Sequence, residues 1–175
     1  MLNLYSIEGR QASKPPPYLA PISSVIPAEL KELPQWVLWK PVLRQGKWTK
    51  PPYRVDGRHA SCADPSSWAD FDAIDAAYRS GGWAGYGFVL TAADPFCGID
   101  LDHVRDPANG AIEAWARDLI RRFDSYTEIS PSATGVRIFI KGRLPERGRH
   151  KGKIEIYDRS RFLTVTGRRI RDTCA

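Results

Sequence analysis

Cysteine is scarce in this chain of 175 residues: Cys62, Cys97 and Cys174 are odd in number, far apart and without a Cys-x-x-Cys pair. That spacing argues against a disulfide framework and a zinc knuckle, and fits a reducing cytoplasm. Long apolar runs are missing too. No stretch approaches the roughly 18 residues of a membrane span, so no membrane partner is expected. The N-terminus has no basic-then-apolar leader, so secretion is not expected either. A Gly-x4-Gly-Lys-Ser/Thr loop is lacking, which excludes a P-loop. What is present is a globular composition, 42% hydrophobic and 11% aromatic. That content predicts a domain with a true core.

The net charge of +6 is unevenly placed. Residues 1–136 carry 14 basic and 16 acidic side chains, whereas residues 137–175 carry 12 and 4. All the excess positive charge sits in the last quarter. Such clustering points to a polyanion (nucleic acid, nucleotide or anionic lipid), with a solvated basic tail as the plain alternative.

Residues 1–33 read as an extended proline-rich arm, with a short helical turn near 28–32, and residues 34–175 as the folded domain. Two early strands are expected over 36–43 and 48–55, joined by a Gln45-Gly46 turn and demoted to edges by their prolines. Helices are expected over 66–79 and 111–123. The second carries Ile112, Trp115, Leu119 and Phe123 on one stripe. Strands are expected over 86–91, 97–104, 125–130, 136–141, 153–157 and 162–166. The pattern is an α+β fold: a mixed β-sheet with helices packed on one face. Trp36, Trp39, Trp68, Trp83 and Trp115 are expected in the core; Trp48, beside Lys47 and Lys50, is the least settled.

Side chains alternate across a strand, so each strand sorts into two faces. Ile99 and Leu101 point one way, Asp100 and Asp102 the other. Val136, Ile138 and Ile140 oppose Arg137, Phe139 and Lys141; Ile154 and Ile156 oppose Glu155 and Tyr157. Two carboxylates on one strand face lie roughly 6.5–7 Å apart at the backbone. Their repulsion favours a cation, and oxygen ligands suit Mg²⁺ or Mn²⁺, with Glu155 able to complete a three-carboxylate cluster. An exposed strand face is the plain alternative. Ser130-Pro131-Ser132-Ala133-Thr134-Gly135 is small and hydroxyl-rich, suited to close approach of phosphate or to an ordinary hairpin loop.

Taken in order, these segments resemble the archaeo-eukaryotic primase superfamily, in the primase-polymerase group of phages and plasmids. Gly98-Ile99-Asp100-Leu101-Asp102-His103 is similar to its Asp-x-Asp strand, and Ser130 to Arg137 to its Ser-and-Gly loop and following strand. Ile154-Glu155-Ile156-Tyr157 is similar to its later acidic strand, and Arg161 to Gly167 to an Arg…Thr-Gly segment. Upstream, Trp36-Val37-Leu38-Trp39, Lys50-Pro51-Pro52-Tyr53, Asp64-Pro65…Trp68 and Gly85-Tyr86-Gly87-Phe88-Val89-Leu90 also fit. Position 137 departs from the pattern: it is Arg where the best-known members carry a His that contacts the triphosphate.

The resemblance implies an RRM-like catalytic core and a DNA primase or DNA polymerase, acting on a single-stranded DNA template and primer with dNTPs or rNTPs. It implies Asp100, Asp102 and Glu155 as catalytic Mg²⁺ or Mn²⁺ ligands. Ser132, Thr134, Gly135 and Arg137 would hold the triphosphate, and His150, Lys151 and Arg161 would add charge near phosphates or template. Family members often continue into a helicase, so a helicase domain or subunit is a candidate partner, and this chain a fragment or a stand-alone domain. Two other readings stay open. One is a mobile-element metal-dependent nuclease, disfavoured by the lack of a His-hydrophobe-His run. The other is a non-catalytic single-strand-binding module using Phe139 and Tyr157.

Overall fold

The computed structural model describes residues 14–145 and 148–170. The first part of the expected arm and Cys174 lie outside them. Residues 14–27 are extended but for one 3₁₀ turn at Ser23–Val25, as five prolines in the arm predict. Leu19 N–H donates to Pro131 O at 2.8 Å and Ile22 N–H to Thr166 O at 2.7 Å. Helix α1 is the short turn Ala28–Lys31.

Proline splits the expected first hairpin. Strands β1 (Trp36–Trp39) and β4 (Pro52–Tyr53) pair, and so do β2 (Val42–Arg44) and β3 (Lys47–Thr49). Pro41 and Pro51 lack the N–H that a continuous ladder needs. The tip β2–β3 therefore forms a two-stranded sheet of its own. Its turn residues Gln45 and Gly46 have φ of 49° and 76°, the left-handed pair that matches the twist of a two-residue hairpin.

Both main helices start later than periodicity predicts. Asp64 caps a 3₁₀ turn at Pro65–Ser67, and Ala69 then bridges to Trp36, so α2 runs Phe71–Arg79. Asp70 caps it by accepting from Ala73 N–H at 2.7 Å. Ile112 bridges to Arg105, holding α3 to Ala114–Phe123. The α3 face that is buried is Ala116 and Ile120. Trp115, expected in the core, is 39% exposed and donates Nε1–H to Glu113.

Strands β5 (Gly85–Leu90) and β11 (Arg161–Val165) join β1 and β4 in one sheet, ordered β11-β5-β1-β4. The second sheet holds β6 (Phe96–Leu101), β7 (Tyr126–Ile129), β8 (Val136–Lys141), β9 (Arg149–Lys151) and β10 (Ile154–Tyr157). Its order is β7-β8-β6-β10-β9. The α+β class holds, but the sheets are not mixed: every strand pairing among the described residues is antiparallel. The unit β6–α3–β7 does run its two strands in the same direction. The chain then turns back and inserts β8 between them, so no parallel pair forms. Asp94 makes the passage between sheets, accepting from Gln35 Nε2, the N–H and hydroxyl of Thr91, and Phe96 N–H.

The alternation read from sequence decides the packing. Ile99, Leu101, Val136 and Ile138 meet Ala116 and Ile120 of α3, with Ile154 and Ile156 at the edge. On the opposite face, Phe96, Tyr126 and Phe139 pack against Phe88, Leu90 and Leu163 of the first sheet, and α2 adds Phe71 and Ile74. Each such side chain contributes roughly 1.5–3 kcal/mol on burial. Gly98 permits the close approach of the sheets, since a Cβ there would lie 2.3 Å from Leu163 Cδ1.

Candidate active site

Strand register draws the candidate residues into one row across the second sheet. Glu128 faces Arg137, Arg137 faces Asp100, Asp100 faces Glu155, and Glu155 faces His150, each directly opposite its neighbour. Side chains so placed have Cβ atoms roughly 4.5–5.5 Å apart. The row runs from the core to solvent: Glu128 is wholly buried, Arg137 is 7% exposed, and His150 is exposed.

Arg137 is held from two sides. Its Nη2–H donates to Asp100 Oδ2 at 3.0 Å, with Nε–H at 3.3 Å from the same oxygen. Its Nη1–H donates to Thr164 O at 2.9 Å and to the Thr164 hydroxyl. Asp100 Oδ1 is buried with no hydrogen-bond partner among the described residues. An orphaned carboxylate oxygen in a protein interior calls for a ligand, a cation or water. Glu155 stands beside it, with His150 Nε2 3.9 Å from its carboxylate. Glu128 accepts from Tyr126 hydroxyl at 2.8 Å, Thr166 N–H at 2.9 Å and Gly167 N–H at 2.8 Å. Burial nonetheless pushes its carboxyl above the ordinary range.

Asp102 lies one residue beyond the end of β6, in a turn where His103 takes φ of 53°. The expected strand over 97–104 stops early because the left-handed His103 turns the chain; Asp102 N–H still follows the β10 register, donating to Lys153 O at 2.8 Å. Partial desolvation, then the charges of Asp100 and Glu155, raise the Asp102 carboxyl. Among the described residues, no three His, Cys, Asp or Glu side chains are gathered closely enough to form a ready metal cage.

The hydroxyl loop adjoins the same end of the sheet. Ser130 Oγ and Ser132 Oγ lie 3.0 Å apart, and Ser132 Oγ and Thr134 Oγ1 2.9 Å. Gly135 N–H donates to Ser130 Oγ at 3.0 Å. A Cβ on Gly135 would sit 2.7 Å from Leu101 O, a backbone atom that cannot swing away. Glycine at 135 thus sets how closely the loop approaches the Asp-x-Asp segment.

Asp100, Arg137, Glu155, His150 and Arg161 open onto a cleft of about 570 Å³, within the roughly 300–1,000 Å³ of small-molecule sites. Ser132, Thr134, Gly135 and Asp102 do not line it. Lys151 stands apart as well: it pairs with Ile154, whose side chain packs with the α3 cluster, so alternation puts Lys151 off the row. Arg161 lies 5.0 Å over the Tyr157 ring. Sequence reasoning passed over Lys50 as a site residue. It lines the cleft, its ammonium 5.5 Å from the Tyr18 ring centroid, and burial lowers its pKa while Asp100 and Asp102 oppose that shift. Its only signal was its place in Lys-Pro-Pro-Tyr. Glu128 was passed over too, although a lone acid among apolar strand residues is a mark of burial.

No family model matches the chain. It is 42% identical over 145 residues, 79% of its length, to the DNA primase-polymerase of Nitratiruptor phage NrS-1, of which it spans 20%. Across about four fifths of its own length the chain is thus similar to a phage-type primase-polymerase, and it spans about a fifth of the length of this curated relative.

Proposed function

We propose that the chain is a divalent-metal-dependent nucleotidyltransferase that makes or extends primers on single-stranded DNA in phage or plasmid replication. On this reading the second sheet and α3, with their split β6–α3–β7 unit, are an RRM-like catalytic core, working in the cytoplasm and joined in replication by a helicase activity. One observation carries the reading: the buried Oδ1 of Asp100, without a hydrogen-bond partner among the described residues, beside the directly opposed Glu155. Two carboxylates suit Mg²⁺ or Mn²⁺, because Mg²⁺ takes one or two carboxylates and completes its shell with water and substrate phosphates. Asp100 and Glu155, with Asp102 at the strand end, would hold the ion. When bound, it supplies neutralisation of the triphosphate and activation of the primer hydroxyl.

The protein's own groups prepare the ground. Arg137 occupies one oxygen of Asp100 and leaves the other available. Lys50 and Arg161 place positive charge around the cleft, which His150 also lines, and Ser132 and Thr134, on the loop that Gly135 keeps close, offer hydroxyls to phosphate. Lys151 would act on template phosphates from the sheet edge. The test is nucleotide incorporation on a primed and an unprimed single-stranded template, with Mg²⁺ or Mn²⁺ and either dNTPs or rNTPs. Metal-dependent product growth supports the reading. Metal-dependent DNA cleavage that ignores nucleotides would establish the nuclease instead.

A further inference from the structure

The cleft has three aromatic side chains on its walls, and two of them have ring faces already in use. Arg161 covers Tyr157 at 5.0 Å. Phe162 lies over Gly87, close enough that a Cβ there would be 2.5 Å from its Cδ2. Trp48 differs. Among the described residues it belongs to neither hydrophobic cluster and to no ring pair. Its strand neighbour across the hairpin, Leu43, is 41% exposed. Trp48 is itself half-buried, and its position on the cleft wall gives the uncovered part of its ring a use.

Trp48 is two residues from Lys50, which shares the cleft with Asp100 and Arg137. Extended residues so spaced stand roughly 6.5–7 Å apart along the backbone. That is the scale on which a nucleotide separates its base from its phosphates. A flat apolar ring at one end of this step and a cation facing carboxylates at the other match the two ends of one nucleoside triphosphate.

We propose that Trp48 is the base-stacking residue of the nucleotide site, with Lys50 set toward the phosphates of the same nucleotide. The inference rests on the nucleotidyltransferase reading. Stacking tolerates any base, because every base has a π-face, so Trp48 contributes affinity without choosing the nucleotide.

The experiment compares wild type, Trp48→Ala, Trp48→Leu and Trp48→Phe. It measures binding of dATP, inorganic tripolyphosphate and a single-stranded oligonucleotide in Mg²⁺, with unfolding curves as the folding control. Trp48→Ala and Trp48→Leu should weaken dATP binding by about 5- to 150-fold, the range for loss of one base–aromatic stack. Tripolyphosphate binding should not change, and Trp48→Phe should recover most of the loss. Trp48→Leu keeps apolar bulk, so it carries the test if the alanine variant unfolds. Unchanged dATP binding overturns the proposal, as does a parallel loss of tripolyphosphate, or a loss confined to the oligonucleotide. Those results leave the nucleotidyltransferase reading standing. Wild type that binds neither dATP nor tripolyphosphate overturns both.

Discussion

Asp100 and Arg137 stand directly opposite each other on neighbouring strands, and their side chains meet at 3.0 Å with 13% and 8% of their surfaces exposed. The pair is a charge contact inside the sheet sandwich, and Thr164 of the other sheet completes it. Arg137 therefore couples the two sheets as well as flanking the cleft.

Removing Arg137 leaves Asp100 charged, buried and without its counter-charge. Breaking a buried pair from one side costs about 3–5 kcal/mol. Arg137→Ala should lower the urea midpoint accordingly, and Arg137→His should recover part of it. A midpoint within experimental error of wild type would show that the pair does not hold the sheets.

The three carboxylates should separate by stability. A cluster of like charges alone predicts that any removal relieves repulsion. The register changes that expectation for one member: Asp100→Ala strands the Arg137 guanidinium and should destabilise by about 3 kcal/mol or more. Asp102→Ala and Glu155→Ala should leave stability unchanged or raise it slightly. Thermal unfolding of the three variants checks this, and equal losses in all three would refute it.

Asp102 and Asp158 should respond to pH with opposite signs. The Asp102 carboxyl is raised in the fold. The native state then binds more protons than the unfolded chain just above the usual Asp range, and stability falls as pH rises through that window. Asp158 is held down to about 2, chiefly by hydrogen bonds from Arg159 and then from Leu144 N–H. Its contribution is present above the unfolded Asp value and fades as pH falls toward about 2. Asp158→Asn should be less stable than wild type at pH 7, with the gap closing in acid. Asp102→Asn should remove a decline of stability between mildly acidic and neutral pH. Unfolding curves across pH 2–7 measure both.

Two glycines should fail in different ways. A methyl at Gly98 meets the mobile ends of Leu163 and Leu90, so Gly98→Ala should cost about 1–3 kcal/mol by overpacking. A methyl at Gly135 meets Leu101 O and must shift the loop. Gly135→Ala should weaken nucleotide binding more than Gly98→Ala does. Melting and nucleotide titration of both variants would expose the reverse order.

Much of this site could be read from alternation alone, because strand period sorts Asp100, Arg137 and Glu155 onto one face and Ile99, Ile138 and Ile156 onto the other. Their order across the sheet could not be read, since register depends on the turns that join the strands. The strand pair Arg149–Lys151 was not foreseen, so the parity that turns Lys151 away from Glu155 was hidden. Pro41 and Pro51 were read as edge signals, whereas they detach the hairpin that carries Trp48 toward the cleft, followed directly by Lys50. The α3 stripe slipped because Ile112 is held in a bridge, and Trp115 lost its place in the core. The mixed sheet was inferred from a strand–helix–strand order that β8 interrupts.

The most direct test of the catalytic reading is templated incorporation of a labelled nucleotide by wild type, Asp100→Asn and Glu155→Gln in Mg²⁺ or Mn²⁺. The account predicts extension by wild type, none after chelation, and a fall of about a hundredfold or more in either variant. Nucleotide binding by Glu155→Gln should persist. Variants that extend primers at the wild-type rate, or a wild type that extends in chelator, would contradict the placement of the reaction at Asp100 and Glu155.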